Sequence, residues 1–266
     1  MARRSGGTHS DAARVAGALL GELLYERGEV DEAERLLDES YQPGSQGSVV
    51  EFLIARHVIG ARINALRGDR DAAARRLDDG AHVAATLGLP RLRAHVENER
   101  MRLGLPVAEW PGRVRHSEAL PDGGPGEITA QLRDETEIRG LLADQPGLAC
   151  QRAQSWVERL EPQGRPRALL QANRLFVAAL SAAGRTDEAK QILANIGAQC
   201  AERGMVRYLL DGGPRVNALL AELRDDMHSG QWRPTLPPIP QAFLDRMVSQ
   251  AQTVGSGAAA QRGAPP

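Results

Sequence analysis

The side chains best suited to grip a ligand are two arginines, Arg62 and Arg174, with Glu22, Tyr25 and Gln171 at related helical positions. A guanidinium is a planar fork of donors that meets a carboxylate or a phosphate in two parallel hydrogen bonds. The chemistry on offer is therefore recognition of an anionic group. A plainer reading competes with it. Of the 33 basic residues only Lys190 is a lysine, which leaves 32 arginines, and most exposed charges are solvated or paired within their own chain. The six histidines are His9, His57, His82, His95, His116 and His228, and none stands in His-Glu-x-x-His or another tight ligand spacing. His57 lies nearest an apolar face, where a satisfied, half-buried imidazole is expected. Asp225-Asp226-Met227-His228-Ser229 resembles the start of an aspartate-rich, metal-diphosphate motif. The third carboxylate, one turn on, is replaced by Ser229, and magnesium needs several convergent oxygens. That stretch and Asp78-Asp79 read as charged helix ends.

Other chemistries fall away on composition. A P-loop requires a lysine behind its glycines, and Lys190 follows Asp187-Glu188-Ala189 inside a helical pattern. A protein kinase needs a strand lysine to hold its nucleotide, and none is available. Gly255 to Ala260 fits a dinucleotide fingerprint by letter, but no strand precedes it. No Gly-x-Ser-x-Gly elbow occurs, and Trp110, Trp156 and Trp232 are too scattered to stack bases. The expectation is no enzyme activity, no cofactor and no metal. A formal net charge of −1 gives no bulk attraction to nucleic acid or an anionic membrane. No apolar run approaches the ~20 residues of a membrane span, and the first ten residues are polar, without a signal-peptide core. Cys150 and Cys200 lie far apart, in no metal or redox motif, and read as small buried hydrophobes in a reduced cytoplasm.

What must position the candidate residues is helical throughout. From Asp11 to Arg27 the apolar residues Val15, Leu19, Leu20, Leu23 and Leu24 recur at spacings of three and four. Gly28 breaks the stripe, and Asp31 to Tyr41 resumes it. Val49 to Leu66 and Asp71 to Leu87 form a second pair, and Ala168 to Ala183 with Asp187 to about Cys200 a third. Short glycine turns fold each pair back antiparallel. The turns align: Arg27-Gly28 and Arg67-Gly68 are 40 residues apart, and Gly184 follows Gly68 by 116, close to three such periods. Asp31, Asp71 or Asp187 is expected to cap the second helix. Ala33, Ala73 and Ala189 keep the crossing small, with Gly21 as a further close-contact position. Leu37, Leu77 and Leu193 continue the buried face.

A fixed period built from helix pairs is the mark of an α-solenoid. The predicted fold is therefore all-α. Helical repeats cover 11–104 and 127–229, a Gly/Pro-rich loop covers 105–126, and a stiff Pro-rich linker, with Trp232 beside it, covers 230–240. A short helix follows over 241–252. Disordered tails are expected at 1–10 and 253–266. In such an array the first helix of each pair lines the concave face, which is where Glu22, Tyr25, Arg62, Gln171 and Arg174 are placed.

Leu23 to Leu37 (Leu-Leu-Tyr-Glu-Arg-Gly-Glu-Val-Asp-Glu-Ala-Glu-Arg-Leu-Leu), Leu87 to Leu92 and Ala201 to Gly213 together resemble the tetratricopeptide-like repeat region of MalT-type LuxR-family transcriptional regulators. The carboxy-terminal region of PknK-type kinases is similar. The resemblance runs from about Asp11 to Val248, and Gly204 to Gly213 is its most specific part. Members usually carry an amino-terminal NTPase, and many end in a DNA-binding helix-turn-helix. The chain holds neither.

The resemblance implies a sensor or scaffold module and does not imply DNA binding or ATP hydrolysis by this chain; with the charge balance and the cysteines, the expectation is a cytoplasmic module without direct nucleic-acid or membrane contact. It would take an inducer or a protein partner in its trough and pass on a regulatory signal. The alternative is the scaffold portion of a split or truncated regulator. The row Leu19, Leu20 and Leu23 near the chain start leaves room for a homodimer, since solenoid ends need polar caps to stay monomeric.

Overall fold

The computed structural model describes residues 11–40, 50–107 and 124–262. The tail at 1–10, the last four residues and most of the expected 105–126 loop, with His9, Trp110 and His116, lie outside the described residues. Among the described residues every regular element is helical and no strand occurs. The chain forms two compact units, residues 1–130 and 131–266, and the boundary falls inside the helix Gly124–Leu141.

The first unit holds α1 (Asp11–Arg27), α2 (Val30–Glu39), α3 (Val50–Ile54), a π-helical turn (Ala55–Ile59), α4 (Gly60–Leu66), α5 (Arg70–Thr86) and α6 (Pro90–Arg102). The turns after α1 and α4 need a positive φ, 87° at Gly28 and 85° at Gly68, which glycine adopts without a Cβ clash. Ala33, Leu37, Ala73 and Leu77 are all buried. α1 and α2 cross where a Cβ on Gly21 would stand 3.2 Å from the Ala33 carbonyl oxygen. The capping expectation needs correction. The α5 cap is Asp69, whose carboxylate accepts from Ala72 N–H at 2.8 Å. The residues before α2 and α10, Glu29 and Arg185, make no side-chain cap. Asp31, Asp71 and Asp187 instead sit in the first turn, where a negative charge favours the helix dipole.

Ion pairs report how successive pairs lie. Arg67 meets Asp31 at 2.9 Å and Glu34 at 2.6 Å, and Arg76 meets Asp38 at 3.0 Å. Contacts that rise together along both segments mean that α2 and α5 point the same way. Likewise Arg91 meets Glu51 at 2.6 Å and Arg62 meets Glu99 at 2.9 Å, so the stretch from α3 to α4 runs alongside α6 in one direction.

α7 spans Gly124–Leu141 and takes in the last three residues of the expected loop. The second unit continues with α8 (Pro146–Leu160), α9 (Pro166–Ala182), α10 (Thr186–Arg203), α11 (Val206–Leu210), α12 (Pro214–His228) and α13 (Gln241–Arg262). Arg152 reaches Glu137 at 2.6 Å and Trp156 Nε1 donates to Asp134 at 2.9 Å, an antiparallel α7–α8 pair. Ala189 and Leu193 are buried as their counterparts are.

Two expectations differ near the carboxy end. The 230–240 segment is not a free spacer. Leu236 and Ile239 are buried, Arg233 pairs with Asp187, and Ile239 packs so closely on α10 that a Cβ on Gly197 would stand 2.8 Å from it. Two apolar residues among the prolines explain this, because burying them outweighs leaving the segment in water. The last helix does not stop near 252 but runs to Arg262, through an alanine run of high helix propensity. The dinucleotide-like Gly255 to Ala260 therefore lies within a helix.

Candidate functional site

In the first unit Arg62, on α4, belongs to a three-residue charge cluster. Glu99 of α6 is 1% exposed and lies between two guanidinium groups. Arg62 Nε donates to Oε2 at 2.9 Å and Arg102 Nε donates to Oε1 at 2.8 Å; Arg102 Nη2 also donates to Oε1. Burial alone would push the Glu99 carboxyl up, but the charges of Arg102 and Arg62 and their hydrogen bonds outweigh it and hold it at about 2. Two guanidinium groups thus hold this one carboxylate. The Arg62 side chain remains 22% exposed.

His57 sits in the π-helical turn between α3 and α4. An extra residue per turn swings it onto α5, where its Nδ1 lies 3.2 Å from the Arg76 carbonyl oxygen. That acceptor makes Nδ1 the protonated nitrogen. A Cβ on Gly80 would stand 2.9 Å from the His57 Cβ, so glycine is required for this approach. The imidazole is satisfied, as expected from sequence, but buried rather than half-buried.

Burial holds the ring at about 4, with the charges of Arg56 and Arg76 adding to it, against the Arg76 carbonyl and Asp79. Below the ordinary value of 6.5 the unfolded chain takes up a proton that the folded chain refuses, until pH falls to about 4. Stability should therefore decline over that window by up to about 3 kcal/mol. Urea unfolding at pH 7 and pH 4.5 checks this: His57→Gln should remove that share of the acid loss, and an equal loss in both chains would refute it.

The other candidates fall in different surroundings. Glu22 is half-buried on α1, and Tyr25 is a core residue. In the second unit Gln171 Nε2 donates to Oε2 of the buried Glu135 at 2.8 Å, and Gln131 donates to Oε1 of the same carboxylate at 3.0 Å. Arg174 is 6% exposed. Its guanidinium stacks 4.6 Å from the Tyr208 ring centroid and donates to the Tyr208 carbonyl oxygen near the end of α11, while its Nε has no partner. Arg174 thus caps a short buried helix from the side, and is not offered to solvent. Beside it Arg207 and Asp211 form a buried pair at 2.7 Å. Lys190 takes Asp226 at 2.9 Å and Glu222 at 3.1 Å, and Arg224 takes Asp225 at 2.7 Å, so both aspartates near the end of α12 are engaged by cations. Among the described residues no group of three or more possible ligands could hold a metal, and no helix is long and apolar enough to cross a membrane. Both cysteines are buried and neither is in a disulfide.

Glu99, Arg102, Glu135 and Tyr208 were not singled out from sequence. A signal existed. Partners in adjacent pairs lie 36 to 40 residues apart: Arg67 with Asp31, Arg62 with Glu99, Arg76 with Asp38, Arg91 with Glu51, Gln171 with Glu135 and Lys190 with Asp226. That separation is close to the repeat period. Complementary side chains one period apart therefore foretell the ties across the stack. Arg174 had its own sign, since the offset from Gly28 to Gly184 puts it level with Ala18 and, one period on from there, Val58, both core positions.

No family model matches the chain, and no solved structure matches it. Serine/threonine-protein kinase PknK of Mycobacterium tuberculosis is 45% identical over 212 residues, covering 78% of this chain and 19% of the kinase. The protein of the same name from Mycobacterium bovis matches to the same extent. The chain spans about a fifth of the length of the curated relatives it matches.

Proposed function

We propose that this chain is a non-catalytic helical-repeat module of a regulatory protein, which docks an inducer or a protein partner and passes on the signal. The observation that carries the reading is the parallel stacking of successive helix pairs in the first unit, with the partly exposed Arg62 held beside the buried Glu99 on it. Stacking of this kind is what a tetratricopeptide-like solenoid does, and solenoids present their first helices along a binding trough. The identity to PknK supports a regulatory setting. The likeness to the MalT-type sensor region supplies the inducer. The ligand would place a carboxylate or phosphate on Arg62, and binding would favour one curvature of the stack over others. The module works in the cytoplasm and does not itself contact DNA or membrane.

The test is calorimetric titration with three probes: citrate as a carboxylate, glucose 6-phosphate as a small phosphate, and a phosphoserine peptide. Saturable binding of one of them, weakened about tenfold or more by Arg62→Gln, is the expected result, in line with the ~1.5–3 kcal/mol of a charge-assisted contact. No binding, or equal affinity in the variant, removes the trough assignment. A second reading, a scaffold that acts only beside other parts of a regulator, is favoured by the match spanning a fifth of the relatives' length. It predicts that none of the probes binds.

A further inference from the structure

The strap between α12 and α13 is held in the second unit by side chains alone. Its backbone bonds are local. Leu236 N–H donates to the Arg233 carbonyl oxygen at 2.9 Å, and the Pro240 carbonyl accepts from Phe243 N–H at 2.9 Å. Among the described residues no backbone–backbone hydrogen bond joins 232–240 to α10. Pro234, Pro237, Pro238 and Pro240 have no N–H to donate. The ties to α10 are two. Arg233 pairs with Asp187 in the first turn of that helix, where both side chains are exposed. Farther along α10, roughly 15 Å from Asp187 at 1.5 Å per residue, Ile239 fills the notch left by Gly197, where a Cβ would stand 2.8 Å from the Ile239 Cδ1. Leu236, between the two ties, is buried. The strap therefore runs along α10 in the direction of that helix.

We propose that residues 232–240 are a latch, which opens over α10 as a unit while α10, α12 and α13 stay folded and packed. The flanking helices have their own ties. Lys190 of α10 holds Asp226 and Glu222 of α12. α13 starts at Gln241, after the last proline, packs on α12 and buries Phe243, Leu244, Met247 and Val248. Opening the latch breaks one exposed ion pair and takes two aliphatic side chains into water. Opening any of the helices breaks a ladder of backbone hydrogen bonds as well. A segment with few buried side chains and no such ladder opens locally, at a free energy well below that of global unfolding. Closed, the latch hides two apolar surfaces in each other: the α10 notch at Gly197 and the pair Leu236 and Ile239. Open, it releases both, so the absence of a side chain at Gly197 sets how firmly that face of α10 is covered. The inference does not rest on the anionic ligand proposed at Arg62, which lies in the first unit.

Thiol labelling of the full chain without denaturant and in low urea is the test, read by mass spectrometry of the labelled peptides. Cys150, buried in α8, is the internal reference. Ile239→Cys places a thiol at one anchor of the latch, and Leu236→Cys, in a separate chain, at the other. The expected result is that each added thiol reacts on the order of 100-fold faster than Cys150. Its rate should also depend on urea less than about a third as steeply, because little surface is exposed on opening. Adding Gly197→Leu to Leu236→Cys should speed that labelling about tenfold by crowding Ile239. Asp187→Asn should speed it only about two- to threefold, as for an exposed ion pair. An added thiol that reacts at the rate and urea dependence of Cys150 overturns the latch, and either variant alone suffices for this. Labelling that Gly197→Leu leaves unchanged overturns it as well.

Discussion

Glu99→Ala should destabilise the first unit by about 3–5 kcal/mol, the range for removing one partner of a buried ion pair. The carboxylate is almost fully buried and satisfies two guanidinium groups at once. Without it Arg62 and Arg102 face each other across a site too enclosed for water to screen them well. Glu99→Gln keeps the volume and one acceptor oxygen but turns a donor toward the other fork, so its loss should be smaller. Arg62→Ala and Arg102→Ala should each cost less than Glu99→Ala, because one fork remains on the carboxylate, and the two losses should not add.

Acid supplies an independent check on the same cluster. A carboxyl held at about 2 against an ordinary 4.5 contributes stability that is fully present above pH 4.5 and fades as pH falls toward 2. Hydrogen exchange of α4 and α6 amides at pH 7 reads the effect locally. Protection within ~1 kcal/mol of the parent in Glu99→Ala would refute this account of the cluster.

Arg174→Ala should be nearly as severe, at about 2–4 kcal/mol, but in the second unit. The substitution opens a cavity against Tyr208, removes the cation–π stack and leaves a buried carbonyl near the end of α11 without its donor. Arg174→Lys should rescue little, because an ammonium cannot stack flat on the ring and reach the carbonyl together. The measurement is amide protection across α11 together with thermal melting. If α11 protection is unchanged in the alanine variant, the side-capping role is wrong. Arg174→Ala is for this reason a poor probe of ligand binding, since lost affinity in that variant would report lost structure.

The helices were legible because their signals are local. Apolar spacing, a glycine at each turn and small residues at each crossing read the same in Gly28–Ala33, Gly68–Ala73 and Gly184–Ala189 whether or not the chain is folded. The π-helical turn at Ala55–Ile59 was not legible, since a one-residue insertion leaves the stripe intact and alters only its phase. The packed strap at 230–240 was missed for a different reason. Prolines argue for extension, but whether Leu236 and Ile239 find a surface depends on Gly197, which lies more than thirty residues upstream.

By itself the sequence determined that the chain is helical, with aligned glycine turns about forty residues apart at Gly28 and Gly68 and no P-loop or catalytic metal motif among its residues. Those conclusions need only residue types and spacing. Tertiary structure alone decided what each charged side chain does. Arg62 and Arg174 carry the same fork and both looked fit for a ligand, yet one shares a buried carboxylate at a half-open site and the other caps a helix inside a core. The difference comes from which residues stand one repeat away, because the free energy of a guanidinium is set by its desolvation and its partners, and both are properties of the packed stack.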